Sequence, residues 1–288
     1  MNEENKNPHQ GEDTGHEWDG IRELKNDPPR WWMISFYLSG IWLIVYVLLY
    51  PSIPLISSHT TGLLGWTSIN EYNASMNEVI AIRAPFEKKI KGMSATGILN
   101  DSEMSQFAVV SSKVLYGDNC APCHGTGGQG TPQFPVLADD DWLFGGEIDN
   151  LVESITEGRE GNMPGFAGEL SESELNDLVK YIQSLSSGNI YEPGQSVYMG
   201  ETDAEAGCAD CHGEDAKGIS DTGAPNLADS IWRFDGSPEG IRQTILEGVN
   251  QEDNPNTRSG IMPSFGEKLS AAQINKLAVK VYLFGGGK

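Results

Sequence analysis

Cys120-Ala121-Pro122-Cys123-His124 and Cys208-Ala209-Asp210-Cys211-His212 contain every cysteine of the 288-residue chain and two of its five histidines. C-x-x-C-H is the attachment signature of c-type haem. The two thiols bond to the vinyl groups of one porphyrin, and the adjacent imidazole then lies under the ring as the proximal iron ligand. Two copies predict two covalently bound haem c groups, anchored by Cys120, Cys123, Cys208 and Cys211, with His124 and His212 as axial ligands. A Cys₄ zinc site is a poorer reading: Cys208 follows Cys123 by 85 residues, against about 15–20 in compact ribbons. A thioredoxin-like pair leaves the histidine after both motifs unexplained, and two short C-x-x-C disulfide rings would be weak staples for two domains.

His9, His16 and His59 all precede the motifs, and no further histidine follows. The sixth ligands are therefore sought among methionines, and an internal repeat nominates two of them. Pro135-Val136-Leu137-Ala138-Asp139 matches Pro225-Asn226-Leu227-Ala228-Asp229, and Trp142 matches Trp232. Ile155-Thr156-Glu157-Gly158 matches Ile245-Leu246-Glu247-Gly248, and Met163-Pro164-Gly165-Phe166 matches Met262-Pro263-Ser264-Phe265. A lone methionine is commonly core filler. Met163 and Met262 instead share one repeat position on Met-Pro turns, and His/Met ligation suits an electron carrier. Met104 and Met199 have no repeat partner.

Helices are expected around each motif. Residues 103–116 place Phe107, Val110 and Val114 at helical spacing. Ser171-x-x-Glu174 and Ser270-x-x-Gln273 are capping boxes opening helices through about Leu185 and Leu283. With Tyr181 and Tyr282 facing inward, the two halves resemble class I cytochrome c, an all-α fold wrapped around a haem. The resemblance implies that the carbonyls of Pro135 and Pro225 accept the ring N–H of the haem-ligating histidines and fix their tautomer.

Trp31 to Tyr50 is an uncharged run of 20 residues, about 30 Å as a helix and so long enough for a bilayer core. Thirty mostly polar residues precede it, unlike the start of a signal peptide, so an uncleaved anchor is expected. Arg22, Lys25 and Arg30 flank its N-terminal side, whereas residues 51–70 contain no Lys or Arg. The positive-inside rule then puts the N-terminus in the cytoplasm and the haem region in the periplasm of a bacterial inner membrane, the side where c-type haem is attached. The expected organisation is a cytoplasmic segment 1–30, a transmembrane helix 31–50, a connector 51–100, and cytochrome domains 101–187 and 188–288.

His16-Glu17-Trp18-Asp19-Gly20-Ile21-Arg22-Glu23-Leu24 and Pro28-Pro29-Arg30-Trp31-Trp32 lead into this anchor. Followed by two cytochrome modules, they make nearly the whole chain resemble the diheme subunit, subunit III, of cbb3-type cytochrome c oxidase. The resemblance implies a non-catalytic relay of electrons from a soluble cytochrome c donor to a monohaem cytochrome c subunit. From there electrons pass to the haem–copper subunit, which reduces oxygen and pumps protons. It also implies that the methionine of each module ligates the haem of the other; the residues themselves leave both pairings open. Rival readings are a tethered diheme carrier of another redox complex, a diheme peroxidase and a gas or redox sensor. A peroxidase needs an iron that opens a coordination position and draws on further histidines, of which none is on offer beyond His59; a sensor needs an exchangeable ligand.

Charge adds a surface property. Lys+Arg 19 against Asp+Glu 41 gives −22, which argues against a nucleic-acid partner. Residues 1–100 hold 8 basic and 11 acidic side chains, and residues 101–288 hold 11 and 30. The excess thus sits in the haem region, where it serves solubility or steers a basic donor.

Overall fold

The computed structural model describes residues 12–188, 190–204, 206–220 and 222–285, so His9 lies outside the described residues. The chain divides into two compact units between Ile82 and Arg83.

The first unit opens with an antiparallel hairpin, β1 (Glu12–Trp18) and β2 (Ile21–Lys25). Asp19 and Gly20 at its tip both have positive φ, 49° and 85°, the backbone that matches strand twist in a two-residue turn. After Pro28-Pro29, helix α1 (Arg30–Leu49) runs for 20 residues and buries none of them. It is long and apolar enough to cross a membrane, one residue earlier than the expected 31–50. The connector, left without structure by the sequence, carries the whole of helix α2 (Ser68–Ile90).

The second unit is helical around two cores. The last turns of α2 lead into α3 (Ala95–Asn100), α4 (Ser102–Ser111), α5 (Lys113–Asn119) and the single-turn α6 (Ala121–His124). Then follow α7 (Ile148–Glu157), β3 (Arg159–Glu160), α8 (Glu172–Leu185), α9 (Glu192–Tyr198) and the single-turn α10 (Ala209–His212). The chain continues through α11 (Pro238–Glu247), β4 (Ile261–Met262) and α12 (Ala271–Tyr282). The all-α expectation holds, with two short two-stranded pairings as the only sheet among the described residues.

One expectation needs correction and two are sharpened. The single helix over 103–116 is broken at Ser112, whose Oγ donates to Ala108 O at 2.6 Å and competes with helix continuation. The break turns the buried face to Met104, Ala108 and Tyr116, leaving Val110 and Val114 exposed. Phe107 is half-buried and stacks on Phe86, ring centroids 5.0 Å apart. Second, the connector already contributes to the first core, with Ile90, Ala95 and Ile98 buried in it.

Third, the division at 187/188 does not separate the cores. α12, at the end of the second repeat, packs on α3, α4 and α7 of the first, burying Ile274, Leu277 and Val281 beside Ile98, Met104, Leu151 and Ile155. α8, from the first repeat, packs on α9 and α11 of the second, with Leu175, Leu178, Val179, Tyr181 and Ile182 against Val197, Tyr198, Ile241 and Ile245. Five such side chains represent about 10 kcal/mol of gross apolar burial, so the crossing is where the hydrophobic term puts these helices. The repeats are sequential in the chain and exchanged in space.

Candidate haem sites

Each C-x-x-C-H motif folds as one helical turn. In the first, the backbone N–H of Cys123 and of His124 donate to Cys120 O at 3.2 and 2.9 Å; in the second, those of Cys211 and His212 donate to Cys208 O at 3.3 and 3.0 Å. Residues three and four apart share one face of a helix, so the turn groups both thiols with the imidazole. The ring nitrogen Nδ1 of His124 lies 3.0 Å from Pro135 O, and Nδ1 of His212 lies 3.0 Å from Pro225 O. A carbonyl only accepts, so both rings carry their proton on Nδ1 and keep the Nε2 lone pair free. Burial pushes the pKa of both histidines below the usual value, partly offset by the hydrogen bond to the proline carbonyl; Arg233 adds a further downward push at His124. Both imidazoles are thus held neutral, the state a metal ligand needs. Burial pushes the Cys120 and Cys208 thiols up to about 11.

Two tyrosines that sequence comparison missed brace these turns. Tyr116 Oη donates to Gly125 O at 3.0 Å, and Tyr198 Oη donates to Gly213 O at 2.6 Å. They play the same part in the two repeats but lie four residues before Cys120 and ten before Cys208. That unequal spacing hides them from an ungapped alignment on the motifs.

The Met-Pro turns carry the exchange into the sites. Phe166 N–H donates to Ile245 O at 2.9 Å, and Phe265 N–H donates to Ile155 O at 3.0 Å. Met163 and Val249 exchange backbone hydrogen bonds at 3.1 and 2.9 Å, while β3 pairs antiparallel with β4, Arg159 opposite Met262. Gly158 and Gly248 end α7 and α11 with φ of +78° and +71°, and a Cβ on either would strike the carbonyl of Met262 or of Met163. Only glycine fits both demands, which explains why Glu-Gly recurs at this point of the repeat.

A cavity of about 290 Å³ is lined by Cys208, Cys211 and His212 from the second motif and by Met163 and Pro164 from the first repeat. Met262 and Cys120 both pack against the first core. Met163 thus lines one cavity with the second motif, and Met262 packs on the core that Cys120 of the first motif also touches. A larger cleft, about 580 Å³, runs between Gln133, Phe134 and Pro135 of the first repeat and Pro225, Arg233 and Phe234 of the second. Arg233 spans it, donating to Gln133 O at 3.3 Å and Gly260 O at 2.8 Å.

The residues present fit a haem. Each site offers paired thiols, a neutral imidazole with Nε2 free, and apolar walls. Trp142 Nε1 and Arg258 Nε are buried donors without a hydrogen-bond partner among the described residues, and haem carries two carboxylates able to accept from them. Cys120 packs on the first core and Cys208 on the second, and no group of three or more His, Cys, Asp and Glu side chains converges among the described residues. The Cys₄ arrangement is therefore not formed.

A helical fold organised around C-x-x-C-H turns, each braced by a proline carbonyl, defines a c-type cytochrome. Comparison with known proteins makes this specific. Residues 10–57 match the family described as the N-terminal domain of cytochrome oxidase-cbb3, FixP. Residues 107–182 and 195–279 each match the family described as cytochrome c oxidase, cbb3-type, subunit III. The cbb3-type cytochrome c oxidase subunit FixP of Azorhizobium caulinodans is 39% identical over 285 residues, which cover 96% of this chain and 93% of the relative. The corresponding subunit of Bradyrhizobium diazoefficiens is 39% identical over 96% of this chain and 95% of its own length. Subunit CcoP of Cereibacter sphaeroides is 35% identical over the same shares, 96% and 95%. The chain belongs to the subunit III family of cbb3-type cytochrome c oxidases, and its N-terminal helix is that of a membrane-anchored subunit.

Proposed function

We propose that the chain is the electron-relay subunit of a cbb3-type oxidase, carrying two covalent haem c groups. Cys120 and Cys123 hold one and Cys208 and Cys211 the other, with His124 and His212 as proximal ligands. Met262 serves the haem on the first motif and Met163 the haem on the second. The observation that carries this pairing is the cavity shared by Met163 with Cys208, Cys211 and His212. Bound there, the haems supply one-electron transfer through iron, and the chain's own residues do the rest. The Pro135 and Pro225 carbonyls hold the histidine protons on Nδ1, Tyr116 and Tyr198 fix the attachment turns, and the apolar walls exclude water.

The subunit takes part in aerobic or microaerobic respiration and performs no oxygen chemistry itself. It accepts electrons from a soluble cytochrome c and passes them to a monohaem cytochrome c subunit and thence to the haem–copper subunit. The N-terminus lies in the cytoplasm, α1 crosses the inner membrane once, and the cytochrome region is periplasmic. Purification of the native complex in mild detergent tests the assignment. Haem b, copper and a monohaem cytochrome c should co-purify stoichiometrically, and their absence would transfer the chain to another redox complex.

A further inference from the structure

The sixteen or so residues after α1 form a built loop. Leu63 N–H donates to Leu48 O at 2.9 Å and Leu64 N–H to Leu49 O at 3.1 Å, so the loop returns and closes the last open carbonyls of the helix. Thr60 Oγ1 accepts from the backbone N–H of Ser52 and Ile53 at 3.2 and 3.1 Å, and Leu55 N–H donates to Ser58 O at 2.8 Å. Trp66 meets Tyr50 edge-on, ring centroids 5.7 Å apart, and its indole N–H donates to Glu71 at 3.2 Å.

This backbone turns apolar side chains outward. Ile53, Leu55, Ile56, Leu63, Leu64 and Trp66 are all exposed, Ile56 completely and Leu63 to 80%. Residues 51–70 contain no Asp, Glu, Lys or Arg. A loop facing water would be expected to be polar. The hydrogen bonds to Leu48 and Leu49 pin it within a turn of the end of the apolar helix. Its exposed surface is therefore continuous with the one that α1 presents to lipid.

We propose that residues 53–66 form a membrane hook, seated in the headgroup–acyl boundary at the C-terminal end of α1. Apolar groups bury there while the backbone polar groups of a loop remain hydrated, and Trp and Tyr are favoured at that depth. The hook tethers the start of the chain beyond the membrane against the bilayer surface. This inference rests on α1 spanning a bilayer and on nothing concerning the haems.

Nitroxide labels at Ile56→Cys, Leu38→Cys and Glu201→Cys test it, in the full haem-loaded chain reconstituted alone in phospholipid nanodiscs and in the intact purified complex. Oxygen, which partitions into lipid, and a neutral nickel chelate, which stays in water, report depth. The Ile56 side chain is fully exposed, so position 56 should tolerate the label. Its nickel accessibility should be several-fold below that at 201 and its oxygen accessibility well above it, between the values at 201 and 38, in both preparations. Nickel accessibility at 56 equal to that at 201, with 38 still in lipid, would overturn the hook alone. Water access at 38 would overturn the anchor beneath it. Shielding of 56 from both reagents in the intact complex would mean a protein surface covers it, which also overturns the hook.

Discussion

Lys276 is an ammonium whose side chain is only 6% exposed, held by Glu87 at 2.9 Å. Burial works to raise the Glu87 pKa, but its hydrogen bonds and charge interactions with Lys276 and Arg83 prevail and hold it below the usual 4.5. A carboxylate with a lowered folded-state pKa contributes stability above its unfolded pKa and loses it as pH falls through the folded value. Glu87→Gln should therefore lower stability by about 1–2 kcal/mol at neutral pH. That lies below the 3–5 of a fully buried pair, because the Glu87 side chain is 36% exposed. Thermal melts should show the gap from the parent chain narrowing below pH about 4.5; a gap independent of pH would mean the charge of Glu87 does not matter. Neither residue was legible as a partner, since 189 positions separate them and charge alone gives no long-range pairing. The motif cysteines and histidines and the repeated methionines could be named as candidates from the sequence, and the Pro135 and Pro225 contacts implied by the family resemblance are present. Tyr116 and Tyr198 could not be named, because their shared role shows only once the turn is folded.

At the scale of elements, the capping boxes were readable because Ser and Glu or Gln three apart satisfy each other locally. Ser171 N–H donates to Glu174 at 2.9 Å and Ser270 N–H to Gln273 at 2.9 Å, and α8 ends at Leu185 as expected. The break at Ser112 was hidden because apolar spacing across 103–116 fits an unbroken helix as well as two short ones. The destination of α8 and α12 was hidden for a deeper reason: an amphipathic helix specifies an apolar partner, and two equivalent repeats offer two equivalent partners. Ser171→Ala should cost about 1 kcal/mol. Because α8 belongs to the second core, hydrogen exchange should quicken in α9 and α11, with α4 and α7 unaffected. Faster exchange in α4 and α7 instead would contradict the exchanged packing.

For the whole molecule, the paired glycines Gly158 and Gly248 and the β3–β4 pairing interlock the repeats, so the two sites form one structural unit. This linkage explains why a division read from repeat boundaries misplaced the cores while the all-helical class and the anchor were readable from composition and spacing. Residues 101–288 carry 19 more acidic than basic side chains, a charge suited to steering a basic cytochrome. The association rate of a basic soluble cytochrome c with the complex should fall roughly tenfold or more between low and physiological ionic strength. A salt-independent rate would leave the acidity to solubility alone.

The central claim is that each methionine serves the motif of the other repeat. With Cys120 and Cys123 replaced by Ala, only the second motif can attach haem, and the red Met-to-iron charge-transfer band then reports that one site. Adding Met163→Ala should abolish the band and lower the reduction potential, while adding Met262→Ala should preserve both. Loss of the band with Met262→Ala and its survival with Met163→Ala would contradict the exchanged arrangement.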